Sequence, residues 1–190
     1  MDPFARIVIG YHGCPVDFAR DLLVGTLPIG AWKPSTNDWD WLGHGIYFWE
    51  HSPERALRWA QEKFPPKGIA PGVIGAVVQI GRCFDLLNEA ISSILSQSYQ
   101  ELATAFAAAG KPMPQNLGKD LKRRELDCLV INDCLSRLHR QGVEYDSVRG
   151  AFLEGDAAYA GAGFSREAHI QIAVRNPACI LGVFRPNLTI

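Results

Sequence analysis

Leu42-Gly43-His44-Gly45-Ile46-Tyr47-Phe48-Trp49-Glu50 runs directly into His51-Ser52-Pro53-Glu54. Two glycines loosen the first half, and an aromatic run follows. Ser52 can cap a helix. Pro53 suits a first helical turn, where its missing N–H would have no partner anyway. The stretch therefore predicts a loop, a short strand and a helix. Glycine lets a backbone approach a flat ligand, and Tyr47 offers a ring to stack on. A buried aromatic strand with glycines at a bulge has the same pattern, so the surrounding sequence must decide.

The 190 residues suit one domain, 1–190, with room for an insertion. Hydrophobic residues make up 47% and charged residues 21%, which allows a core and argues against disorder. A net charge of -1 gives no global attraction to nucleic acid or anionic membrane. The cysteines (Cys14, Cys83, Cys128, Cys134, Cys179) are odd in number and form no C-x-x-C pair. They argue against a disulfide framework or zinc site and read as small buried thiols in a reducing compartment. Met1-Asp2-Pro3-Phe4 lacks the basic start and apolar run of a secretory signal. No stretch reaches the roughly 18 apolar residues of a membrane span. The expectation is a cytoplasmic protein, or one exported by a route that leaves no classical N-terminal signal, with no membrane partner.

Taken in order, Arg6 to Tyr11 reads as a strand ending at His12-Gly13, where a ring and a bare amide can meet one ligand. Pro15 opens a short helix that ends at Gly25. Residues 26–41 are turn-rich yet hold Trp32, Trp39 and Trp41, which fits a loop folded over a pocket. A helix from about Pro53 to Lys63 stops at Pro65-Pro66, and Val73 to Ile80 is a buried strand. Helical periods over 87–109 and about 119–140 predict a hairpin inserted between strands, over about 87–140. Lys119, Lys122, Arg123 and Arg124 form the one basic cluster, read as a solvated helix face or as a contact for phosphate. Strands follow near Tyr145–Phe152, at His169–Val174 and at Cys179–Phe184. This order predicts an α+β domain rather than regular βαβ alternation.

Three pieces line up: Tyr11-His12-Gly13 at the first strand, Gly45-Ile46-Tyr47-Phe48 before a helix containing Arg55-Ala56, and a polar residue, Gln171, on a late strand. The chain resembles the ADP-ribosyltransferases of the diphtheria-toxin and poly(ADP-ribose) polymerase branch, whose signature is His, Tyr, Glu on strands of a split sheet. The resemblance implies a split mixed β-sheet, with the helical hairpin as an addition. It also implies NAD as co-substrate. His12 would bond the adenosine ribose, the Gly13 backbone would grip the carboxamide, and Tyr47 would stack on nicotinamide. Trp59 occupies the region of a second aromatic, one residue further along than a strict match; a core role for it is the alternative.

Gln171 stands where the family has glutamate, by its spacing to the strand at Ile180. Glutamine can hydrogen-bond a hydroxyl but carries no charge and is no base. Either Gln171 suffices for mono-ADP-ribosylation, or Glu154 or Glu167 reaches the site, or the domain binds NAD or ADP-ribose without turnover. Poly-chain elongation is not expected. His169 shares a strand face with Gln171. His44, Glu50 and His51 show no ligand spacing, so no metal is expected. Asp38 and Asp40 form no glycosidase-like pair. The leading expectation is a mono-ADP-ribosyltransferase of bacterial toxin or defence-effector type. Its acceptor is an unidentified protein, nucleic acid or small molecule, and an antitoxin or immunity partner goes with that type. An NAD-dependent RNA 2'-phosphotransferase is a further alternative, for which Arg55 and Arg149 are the candidate arginines.

Overall fold

The computed structural model describes residues 6–118 and 121–188. Lys119 of the basic cluster lies outside the described residues. The domain is α+β: four α-helices and a seven-stranded mixed sheet, with a two-stranded ribbon beside it. The elements are β1 (Ile7–Pro15), α1 (Val16–Val24), β2 (Ile46–Glu50), α2 (Pro53–Lys63), β3 (Pro71–Gln79), β4 (Cys83–Asp85), α3 (Glu89–Ala108), β5 (Asn116–Leu117), β6 (Arg123–Arg124), α4 (Glu125–Arg140), β7 (Ser147–Phe152), β8 (His169–Val174) and β9 (Ile180–Phe184). The large sheet runs β4-β7-β8-β2-β1-β3-β9 and is antiparallel except where β4 meets β7.

Alternation along the central strands produces two cores, because successive side chains leave opposite faces. Ile46, Phe48, Ile172 and Val174 join Leu22 and Trp32 in the first core, on the α1 face. Ala173 turns the other way, joining Ile131 and Leu135 of α4, with Tyr47 packed alongside. The α3–α4 hairpin enters the chain between β4 and β7, as the period of residues 87–140 predicts.

Several local expectations are corrected. β1 does not end at Tyr11; it runs through His12 and Gly13 to Pro15, paired with β3 along its whole length. Ser52 makes no side-chain cap, so Pro53 and the backbone bond from Ala56 N–H to Ser52 O start α2 without it. The helix expected from about residue 119 begins at Glu125. The two residues before it pair with Asn116 and Leu117 as a ribbon. Arg123 and Arg124 are therefore not a helix face.

The feature that places the site is the junction of β1 and β2. These strands pair over only two positions, Gly10 with Glu50 and Tyr11 with Trp49. Beyond Tyr11 the rungs stop, although both strands continue. A side chain takes the next rung: His12 Nδ1 lies 2.7 Å from the backbone carbonyl of Tyr47. The sheet is open from there to the end of β1.

A candidate ligand cleft in the open sheet

A cleft of about 800 Å3 occupies the opening. Its lining comes from both faces of the sheet, with Phe18 and Trp32 on the α1 side and Arg55 and Trp59 on the α2 side. His12, Gly13, Tyr47, Trp59, Glu154 and Gln171 all line it. Glu167 is not among the lining residues; its carboxylate pairs with exposed Arg58 at 2.8 Å. Of the two glutamates considered, Glu154 is the one at the cleft.

The His12 ring sits among Trp32, Phe18 and Phe48, with centroid separations of 4.9, 6.3 and 5.9 Å. A carbonyl only accepts, so Nδ1 carries the proton to Tyr47 O and Nε2 keeps its lone pair. Loss of water around the ring pushes its pKa down to about 4, against the opposing pull of the Tyr47 carbonyl. His12 is neutral at neutral pH and offers an acceptor, suited to a donating hydroxyl.

Strand alternation fixes what Gly13 offers. Even-numbered residues of β1 bond towards β3, as Arg6 O to Ile80 N and Val16 N to Ala70 O show. Ile9 O instead accepts from His51 N beyond β2. The peptide groups of odd-numbered Gly13 therefore face the opening, where β2 no longer pairs with β1. Glycine is required there because a Cβ would stand 2.4 Å from the Ala56 carbonyl oxygen of α2. Gly43 has a different cause. Its φ is +72°, and Asn132 Oδ1 lies 2.7 Å from where a Cβ would be. The glycine that loosens the central stretch accommodates α4.

Tyr47 lines the cleft, while its hydroxyl is committed elsewhere. The O–H donates to Gly43 O at 2.6 Å and accepts from Leu42 N–H at 2.8 Å. Burial, and secondarily Asp40, raise its pKa well above the ordinary tyrosine value. It is a fixed ring, not an acid or base. Trp59 packs on Trp49 at 5.5 Å, and Lys63 Nζ lies 4.1 Å from its centroid, occupying one ring face.

Register sets Gln171 opposite Trp49 on β2 and Gly150 on β7. It is 7% exposed, and its Nε2 lies 2.9 Å from His169 Nε2. Glu154, 4% exposed, meets Arg55 Nη2 at 2.7 Å. Lys122 Nζ stands 3.2 Å from its second oxygen, off the hydrogen-bonding axis. Burial pushes the Glu154 carboxyl up, but Arg55, with help from Lys122, outweighs this and holds it below its usual range. Arg55 Nε and Nη1 and Trp49 Nε1 are buried at the cleft wall with no hydrogen-bond partner among the described residues. Sequence reading missed the pairing of Arg55 with Glu154. The available signal was a charge next to Ala56 on the apolar side of a short helix.

Trp32, Trp39 and Trp41 of the loop all line the cleft. The loop is fastened to the inserted hairpin. Trp41 Nε1 donates to Lys122 O at 2.8 Å, and the Arg124 guanidinium lies 4.3 Å from the Trp41 centroid. Arg123 lies 5.5 Å from the Trp39 centroid. Lys122, Arg123 and Arg124 of the basic cluster contact the loop and the Glu154 carboxylate, while the Lys122 and Arg123 side chains stay more than half exposed. Arg149 is tied to Glu50 at 2.6 Å and to Asp85 at 3.1 Å and does not line the cleft. No group of three or more potential metal ligands occurs among the described residues. No helix among them is long and apolar enough to cross a membrane.

Together these residues bring to one cleft a neutral imidazole, a side-chain amide, a glycine backbone, aromatic residues and one ion-paired carboxylate. No family model, curated protein or solved structure matches the chain.

Proposed function

We propose that the chain is an ADP-ribosyltransferase-like domain that binds NAD in the open sheet and transfers single ADP-ribose units to an acceptor. One observation supports this reading: His12, Gly13, Tyr47 and Gln171 line one cleft where the β1–β2 pairing stops. They come from three strands in the order of the family signature.

NAD supplies a glycosidic bond to a cationic nicotinamide, whose departure leaves an oxocarbenium-like sugar. The residues divide the remaining work. His12 Nε2 accepts from a ribose hydroxyl. The Gly13 N–H and C=O hold the carboxamide, and the Tyr47 ring supports nicotinamide. Gln171 accepts from the second ribose. Glu154 supplies the negative charge that Gln171 lacks, stabilising developing positive charge from the end of the neighbouring strand. Its ion pair with Arg55 keeps it ionised but engaged, so the acceptor itself must lose its proton easily or bring a base. This favours mono-ADP-ribosylation. The acceptor is a protein, a nucleic acid or a small molecule. A toxin or defence role with an antitoxin partner remains part of this family reading.

Purified protein, assayed for release of free nicotinamide from NAD with and without cell lysate, tests the proposal. His12-dependent release, absent in His12→Ala, is expected. A second reading, binding of NAD or ADP-ribose without turnover, is favoured by the uncharged Gln171. It predicts NAD binding with no release even with lysate. The RNA phosphotransferase alternative loses support because Arg149 is held away by Glu50 and Asp85.

A further inference from the structure

We propose that His169 is a positioning residue that sets the hydrogen-bond polarity of the cleft at Gln171: it holds the amide so that Oε1, not the NH2 group, meets the ligand. The identity of the ligand rests on the NAD reading; the relay itself does not.

Each link follows from what an atom can donate or accept. His169 Nδ1 lies 2.7 Å from the Glu167 backbone carbonyl, which only accepts, so Nδ1 carries the proton. Nε2 of the neutral ring then holds only a lone pair. It lies 2.9 Å from the Gln171 side-chain amide, and only the NH2 group can fill that lone pair. Oε1 is thereby turned away from His169 and left as an acceptor at the cleft. Both residues lie two apart on one face of β8, so the link is short and internal to a strand. Phe152 and Trp41 hold the imidazole at centroid separations of 5.8 and 6.4 Å.

The consequence is a site that prefers a donating hydroxyl while His169 is neutral. Burial lowers the His169 pKa, so the neutral form prevails near neutral pH. The charged groups around it are Glu154 from the end of β7, 3.8 Å from Nδ1, Arg55 from α2, and Glu167 just before β8; Arg124 of β6 lies against the same Phe152 and Trp41 rings. Protonation places a hydrogen on Nε2, which then only donates. The Gln171 amide must turn half a rotation, its NH2 faces the cleft, and a positive charge sits beside a cationic ligand. Gln171→Glu removes the amide-turning part of this sensitivity, because a carboxylate accepts from protonated His169 and still shows an oxygen to the cleft.

Two measurements on the full chain test the relay. Imidazole nitrogen NMR of labelled protein near pH 7.5 should show His169 protonated at Nδ1 and bare at Nε2; an Nε2-protonated ring overturns the proposal whether or not NAD binds. NAD affinity is then followed as the pH is lowered from about 7.5 through the His169 titration, which the same imidazole nitrogen signals locate. The wild-type protein should lose about tenfold as His169 protonates, the scale of one lost hydrogen bond. Gln171→Glu should lose clearly less than wild type over that titration, because its carboxylate shows an oxygen to the cleft in both states of His169, and His169→Phe should bind weakly at every pH. Parallel profiles for wild type and Gln171→Glu overturn the relay. An Nδ1-protonated ring in a protein that binds no NAD supports the relay and overturns the NAD reading instead.

Discussion

His12 should make folding stability depend on pH in a way that one substitution removes. In the unfolded chain its imidazole takes a proton near 6.5, while in the folded protein it does so only near 4. The unfolded state therefore binds more protons between these values, and stability falls as the solution is acidified through that window. The gap, at about 1.4 kcal/mol for each tenfold change, amounts to at most about 3–4 kcal/mol. This contribution is fully present above about pH 6.5 and gone below about pH 4. His169 acts in the same direction, and Glu154 loses its ion pair as it protonates at lower pH, so the raw acid dependence is a sum. His12→Gln isolates the term: the amide can still donate to Tyr47 O but takes no proton. Chemical denaturation of both proteins between pH 7 and 4 gives the difference. The wild-type protein should lose about 2–3 kcal/mol more than the variant over this range. Parallel curves would refute the claim that a buried neutral His12 spans the opening in the sheet.

Three further outcomes follow from the same geometry. Tyr47→Phe keeps the ring but strips the partner from Leu42 N–H and Gly43 O, so denaturation should show a loss of about 2–4 kcal/mol, with NAD affinity within a few-fold of wild type. Gly13→Ala puts a methyl group against the Ala56 carbonyl, and should cost about 1–3 kcal/mol by calorimetric unfolding and lower NAD affinity as α2 is pushed away. Glu154→Gln leaves a buried Arg55 without its counter-charge, which should cost about 3–5 kcal/mol in denaturation and reduce nicotinamide release more than NAD affinity.

The elements with strong local signals were legible in the sequence. β8 reads directly from His169 to Val174, because alternation between two cores leaves a period of two. The inserted hairpin reads from its helical period and from Gly110-Lys111-Pro112. The cleft was legible only as a set of residues in order. What opens the sheet is an absence of pairing between strands 35 residues apart in sequence, replaced by a histidine-to-carbonyl bond, and no local pattern encodes that. The contacts of Lys122, Arg123 and Arg124 were hidden for a similar reason. Their partners, Glu154, Trp39 and Trp41, are distant in sequence, so a charge run looks like a solvated face. Gly43 misled in the opposite sense, since a positive φ against Asn132 looks, in sequence, like room for a ligand. β4 escaped notice because three residues paired with distant β7 carry no period of their own.

The central claim is that the open sheet binds NAD across Tyr47, and titration calorimetry of NAD into wild type and Tyr47→Ala tests it most directly. The account predicts one-to-one binding to the wild-type protein and none to a Tyr47→Ala variant whose circular dichroism shows the fold retained. Absence of NAD binding to the wild-type protein, or unchanged affinity in the folded variant, would contradict it.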